Sequence, residues 1–344
     1  MVHLVAHDPS STQPSPRSRM ADFLDAGLEV VSRIARFLHG SQGSGDGRTR
    51  WLELQNKISA YRLFRGRVRG GRVLELDAIC RLDHYSRLFA CEGHSYRKVR
   101  TGMFAFEALP GLSPISIHAG AGLFLAEKTL TSIEAGKREE EILAEFCVEC
   151  ERVSFEGFRG IMQEVFGFAV RTMYPHLLER LDGCLHRTDA EFWERFWHGV
   201  GRGIYFAPSN IPPFRALPWS GIAMCLREST DKIARRNALS GFCFALTMVN
   251  LRTPEVLEAF FRHHAEYFAD CIDGVQAALA VWQSSREGED TRCPESPLPP
   301  INAESSFWPL LRPDGIEFLE QRQAERLFST RRSVQRKLGS AAGG

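Results

Sequence analysis

The chain is poor in most features that announce a function. Lys and Arg number 43 and Asp and Glu 42 in 344 residues, so the net charge is only +1. That near-balance removes the electrostatic case for a nucleic-acid partner. Long apolar runs are also missing. The nearest, ALPGLSPISIHAGAGLFLA over 108–126, is broken by two prolines and diluted by His118 and small residues. It reads as a buried helix preceded by a turn, and no stable membrane span is expected. The nine cysteines form an odd set scattered from Cys80 to Cys293, without a secretory pattern. Reduced thiols in a cytoplasmic protein are the expectation. A Walker phosphate loop, a Gly-x-Ser-x-Gly elbow, a kinase signature set and the Asp-rich motifs of terpene synthases are all absent. The period-two alternation of strands is nearly absent too.

What remains is helical. DFLDAGLEVVSRIARFLHG from Asp22 has helical apolar spacing and ends at Gly40, and GSQGSGDGRTR reads as a flexible break. A helix is predicted from about Trp51 to Phe64. VLELDAI reads as a short strand or a helix start. KREEEILAEFCVECERV from Lys137 and SFEGFRGIMQEVFGFAVRTMYP from Ser154 read as amphipathic helices, the second stopped by Pro175. Thr188 with Glu191 has the form of a capping box that opens a helix running to Pro208. Thr253–Pro254 starts one long helix, PEVLEAFFRHHAEYFADCIDGVQAALAVWQ. The fold class expected is all-α, a degenerate helical repeat or α/α bundle. Residues 1–20 are expected to be a disordered leader and 21–285 a single helical domain. Residues 286–344 are expected to form a linker, a short helix from Gly315 to about Phe328, and a flexible tail.

Six segments resemble one another: FACEGHSY, HAGAGLFLAE, SFEGFRGIM, HGVGRGIYF, WSGIAMCLRE and LSGFCFALT. Each sets glycine inside or at the mouth of an apolar helical stretch, where it costs about 1 kcal/mol against alanine. In four of them a second small residue follows four positions on: Gly122 with Ala126, Gly199 with Gly203, Gly221 with Cys225, Gly241 with Ala245. Residues four apart share a helix face, so these strips predict very close helix–helix approach. A phosphate cradle is the sharper alternative for HGVGRG. The dinucleotide fingerprint wants its third glycine at the position of Ile204, after a strand, and the glycine falls at Gly203 after a helix.

Few residues stand out chemically. Arg202, between two glycines in an apolar segment, needs an internal carboxylate or an anionic ligand as partner. Glu92 and Glu156 each precede a glycine. They read as helix N-terminal acids or, if they face one cavity, as a proton-transferring pair. His118 and His198 occupy matching places in their segments and are candidates for acid, base or simple hydrogen-bond partner. Trp193, Trp197, Tyr205, Phe206, Phe214 and Trp219 surround Arg202 in sequence. They read as core or as the lining of an apolar pocket, with Trp197, Tyr205 and Trp219 joining Arg202 as ligand-binding candidates. Cys147-x-x-Cys150 lacks a second pair or nearby histidines, and the His263–His264 pair lacks a ligand four residues on, so no metal site is expected. No cofactor is expected.

At the glycine segments the chain resembles a bacterial family of unknown function from enediyne polyketide and related specialised-metabolite gene clusters. The resemblance is collinear from Phe89 to Leu251. Glu92 and Gly93 fall on that family's Glu-Gly, Gly120 and Gly122 on its GVGWA segment, and Gly157 on its DGYGFH segment. Gly199, Gly201, Arg202 and Phe206 match GIGRALWF. Ser220 and Gly221 fall on SGAGLA, and Gly241, Phe244 and Ala245 on QGAAFA. His198 and Ser240 stand where that family has glutamine, and Phe89 lacks the preceding glycine. The resemblance implies a place in polyketide or lipid-like metabolite biosynthesis and carries over no catalytic residue. The expected function is an accessory protein or enzyme that binds a long apolar intermediate, free or on a carrier protein, in a helical cavity. A polyene or isoprenoid cyclase or isomerase, and a helical scaffold for a synthase or carrier protein, are the alternatives.

Overall fold

The computed structural model describes residues 19–20, 22–23, 25–26, 29, 45–66, 74–100, 113–155, 157–207 and 219–284. Among them there is no strand, and the delimited elements are α1 (Gly45–Phe64), α2 (Leu76–Cys80), α3 (His84–Arg100), α4 (Pro114–Glu134), α5 (Glu139–Val153), α6 (Arg159–Met173), α7 (Leu178–Thr188), α8 (Ala190–Phe206), α9 (Gly221–Glu228), α10 (Lys232–Asn250), α11 (Pro254–His263) and α12 (Phe268–Ser284). The protein is all-α. The helix predicted from Gly315, and most of the one from Asp22, lie outside the described residues.

Local chemistry sets the boundaries. Asp231 opens α10 by accepting from the Ile233 and Ala234 amides, and Asp83 does the same for α3 through the Ser86 amide and hydroxyl. The predicted capping box is corrected: Asp189, not Thr188, caps α8 by accepting from the Phe192 amide. The Thr188 hydroxyl instead donates back to the Cys184 carbonyl in α7. The long helix predicted from Pro254 breaks at His264, whose φ of −136° and ψ of 37° leave the helical region, and a 3-10 turn precedes α12. Tyr174 repeats that break, with φ −134° and ψ 48°, before Pro175. The stretch from Ser154 becomes helical only at Arg159, because Gly157 turns the chain at φ +89°. Gly45 to Arg50, expected as a flexible break, belong to α1, and VLELDAI turns helical at Leu76, in the helix Leu76–Cys80.

The helices α3, α4, α6, α8, α10 and α12 stand side by side in a curved row. Gly160 meets the Arg195 side chain near the starts of α6 and α8, and Gly203 meets Arg171 near their ends. Arg236 pairs with Asp273 near the starts of α10 and α12, and Met248 packs with Ala278 and Trp282 near their ends. In both pairs the row neighbours thus share a direction, and α7, between α6 and α8 in the chain, runs back antiparallel, with Asp182 on Trp197 and His186 on Trp193. α5 and α7 return along the outside. The main core lies between row and outer helices: Phe146 of α5 packs tilted against Phe166 of α6 at 4.9 Å and stacks on Phe192 of α8 at 5.7 Å. Burial of each such ring contributes about 1.5–3 kcal/mol. The row bends until α3 meets its far end, where Tyr85 and Leu88 pack with Met248, Leu251, Ala278 and Trp282. The Tyr85 hydroxyl also donates to the Val249 carbonyl at 2.6 Å.

Glycine holds the row together. A β-carbon on Gly201 would lie 1.8 Å from the Ala238 carbonyl oxygen of α10, and one on Gly241 would lie 1.8 Å from the His198 carbonyl oxygen of α8. Gly199 and Gly203 face the other way, onto Glu164, Phe168 and Arg171 of α6. HGVGRG is therefore a mid-helix segment that seats α8 between two neighbours, not a phosphate loop. The same device joins α3 to α1 at Gly93, α4 to α3 at Gly120, and α12 to α10 at Gly274.

Candidate functional site: a charged cluster on the concave side

With Gly199, Gly201 and Gly203 spent on α6 and α10, and Trp197, Val200 and Ile204 buried, α8 has one stripe left: His198, Arg202 and Phe206, four residues apart. Those side chains face the concave side. Arg202 is enclosed there by two carboxylates and two rings. Its Nη2 donates to Glu92 of α3 at 3.1 and 3.2 Å. Its Nη1 lies 3.5 Å from Glu164 Oε1 of α6. The guanidinium sits 5.4 Å from the Phe168 ring centre and 5.8 Å from that of Phe244. His198 Nδ1 is 3.4 Å from the same Glu164 oxygen, and its ring packs edge-on to Phe244 at 5.6 Å. Glu164 Oε1 is shielded from solvent and makes no hydrogen bond of good geometry.

Two carboxylates and one guanidinium leave a formal charge of −1, which a proton on Glu92 or His198 cancels. Burial pushes the Glu92 carboxyl above its ordinary value, the Glu164 charge adds to this, and Arg202 only partly offsets it. Burial also acts to raise Glu164, but His198 and Arg202 outweigh it and hold this carboxyl below its ordinary value. Burial disfavours the Arg202 charge, and the two carboxylates more than restore it. The site thus holds two carboxyls whose surroundings push them in opposite directions, Glu92 up and Glu164 down. Its side chains nonetheless retain water-accessible surface: 12 % for Glu92, 15 % for Arg202, 17 % for His198 and 19 % for Glu164. Core residues on the opposite face of α8, such as Val200 and Ile204, retain none.

The remaining sequence candidates separate. Glu92 lies in the middle of α3, not at a helix N-terminus. Glu156 lies outside the described residues. His118 is fully buried, with Nδ1 2.6 Å from the Pro114 carbonyl and Nε2 accepting from the Phe155 amide at 3.0 Å. Both ring nitrogens are engaged in pinning α4 to the turn before α6. Trp197 points outward, where its indole and that of Trp193 donate to one oxygen of buried Asp182 at 2.7 and 2.6 Å. Trp219 packs edge-on to Phe260 of α11 at 5.5 Å. Tyr205 accepts from Asn250 at 3.1 Å, and its ring carries the Lys57 ammonium at 3.9 Å. Lys57 and Glu53 form a second buried pair within α1, 3.0 Å apart, while the Lys57–Tyr205 contact and a hydrogen bond from Asn56 to Asn250 tie α1 to the ends of α8 and α10.

Glu164, Asp182, Glu53 and Lys57 were not singled out from sequence. Glu164 had a usable signal: it is a lone carboxylate in the apolar stretch GIMQEVFGFAV, the counterpart of Arg202 among its own apolar neighbours. Cys147 and Cys150 are free thiols. Among the described residues no group of ligands could hold a metal ion and no helix is long and apolar enough to cross a membrane. The chain matches no protein-family model, no curated protein and no solved structure.

Proposed function

We propose that the chain is an accessory protein or enzyme of specialised-metabolite biosynthesis, polyketide or lipid-like, that holds a long apolar intermediate against the Glu92–Arg202–Glu164–His198 cluster. The observation that carries this reading is the water-accessible surface those four side chains keep on the concave side, beside the rings of Phe168 and Phe244. An ion cluster kept only for stability is a poor use of a core, since apolar residues of similar volume often serve as well or better. The resemblance to proteins of enediyne and related clusters supports the class of ligand. Arg202 acts here as the clamp on two carboxylates and not as the receptor for an anionic head group.

Native and denaturing mass spectra of the purified protein test the reading. The expected result is an apolar molecule of defined mass, retained natively, lost on denaturation, and missing from Arg202→Ala protein that still melts cooperatively. A ligand-free native spectrum together with capture of a carrier protein would replace this reading with the scaffold one, which the curved row of repeated helices favours.

A further inference from the structure

We infer that Glu92 and His198 form an acid–base pair that moves a proton along an unsaturated apolar chain, a cofactor-independent double-bond isomerisation. This rests on the binding reading above and adds the reaction to it. The geometry assigns the roles. Arg202 links the two acids, with Glu92 on one side at 3.1 Å and Glu164 on the other at 3.5 Å. Glu164 Oε1 lies 3.4 Å from Nδ1 of His198, an ion-pair contact that sets Nδ1 towards Glu164 and leaves Nε2 on the other side of the ring. Glu92 and His198 are therefore held on opposite sides of one guanidinium. They come from different helices, α3 and α8, and both keep accessible surface. The rings of Phe168 and Phe244, whose faces lie against the Arg202 guanidinium, add an apolar wall beside them.

The step balances without an added reagent. The π electrons of a carbon–carbon double bond take the proton of the Glu92 carboxyl, so one O–H bond breaks and one C–H bond forms. A proton on the adjacent carbon passes to Nε2 of His198, and the electrons of that C–H bond form the shifted double bond. The imidazolium then returns its proton through water to the Glu92 carboxylate, and nothing is oxidised or reduced. Glu92 and His198 are the catalytic residues; Arg202 and Glu164 position them. The charged and titratable groups facing Glu92 are Arg202 and Glu164, and those facing His198 are Glu164 and, through it, Arg202.

The test incubates the full chain in deuterium oxide with geranylgeraniol, squalene or retinol. Native mass spectrometry reads binding, and mass spectrometry of the extracted lipid reads deuterium at allylic carbons. The expected result is a bound probe that gains label. Glu92→Gln and His198→Gln keep the probe bound but label at least about a hundredfold more slowly, the usual lower bound for a general acid or base. Glu164→Gln still labels, with an altered pH profile. A probe that binds wild-type protein without gaining label overturns the isomerisation and leaves the binding reading standing. Label that survives both substitutions overturns the assigned roles. Failure of every probe to bind overturns the binding reading and this inference with it.

Discussion

Adding one methyl group to a helical glycine should have opposite effects at two places in this fold. At Gly201 a β-carbon would sit 1.8 Å from the Ala238 carbonyl oxygen and 2.6 Å from its carbon. Ordinary contact begins near 3.5 Å, so α8 and α10 must part locally by more than 1 Å, roughly. A gap of that order forfeits about half of the dispersion energy of the atoms lining it. Overpacking costs about 1–3 kcal/mol, sometimes more, and the better helix propensity of alanine returns about 1 kcal/mol. Both neighbours of the new methyl are backbone, which cannot swing aside, so the cost belongs at or above the upper end. Gly201→Ala should therefore lose about 2 kcal/mol net and lower Tm by roughly 4–8 °C. At Gly183, inside α7, the same methyl would meet only the Arg187 Nη1 atom at 3.5 Å. Gly183→Ala should gain about 0.5–1 kcal/mol and raise Tm by roughly 1–4 °C. Thermal unfolding followed by circular dichroism reads both. If Gly201→Ala melts at or above wild type, or the two variants move together, the glycines are not there for backbone contact.

Four further outcomes follow from the buried polar groups. A carboxyl whose pKa is raised in the folded state stabilises fully at low pH and loses that contribution as pH rises through the folded value. Wild-type Tm should therefore fall more steeply than that of Glu92→Gln as pH rises above the ordinary carboxyl range; parallel curves would refute the assignment. Glu164 has the opposite sign, so Glu164→Gln should lose stability at neutral pH, and its deficit against wild type should shrink on acidification. Asp182→Ala orphans two buried indole N–H groups and should cost about 2–4 kcal/mol, with a shift in tryptophan emission as an independent readout. Cys225, Cys243 and Cys271 are fully buried, and burial drives the first two thiols far above their ordinary range. They should resist thiol reagents until unfolding, while half-buried Cys80 and Cys147 label before them.

The helical class was legible because apolar period and stop residues agree along most of the chain, as in α5 and α6. Close packing was legible from the glycine strips, since only contact with a neighbour offsets glycine in a helix interior. That Arg202 is partnered followed from the cost of burying a cation. The identity of its partners did not, because Glu92 and Glu164 lie 110 and 38 positions away and meet it only once the row has curved. His118 and His198 look alike in sequence, but one is consumed by backbone groups and the other meets a carboxylate. That difference lies in the turn at Gly157, which brings the Phe155 amide to His118. The ends of helices misled where one side chain decides: Asp189 caps at the residue after Thr188, and His264 breaks a pattern whose apolar period runs on unbroken.

The glycine seams also determine how this wall can move. Where a carbonyl oxygen sits against a bare α-carbon, neighbouring helices can neither slide nor roll without collision, so most of the circle behaves as one stiff belt. Its closure is built differently. Where α3 meets α10 and α12, the contact is made by side chains, Tyr85 against Trp282 at 6.4 Å with Leu88, Met248 and Leu251 around them, and an outer ion pair of Asp83 with Arg252. Side chains can change rotamer in a way that backbone cannot. The belt therefore has a buckle, and loosening Tyr85 or Arg252 is the least costly way to widen the circle without breaking a seam.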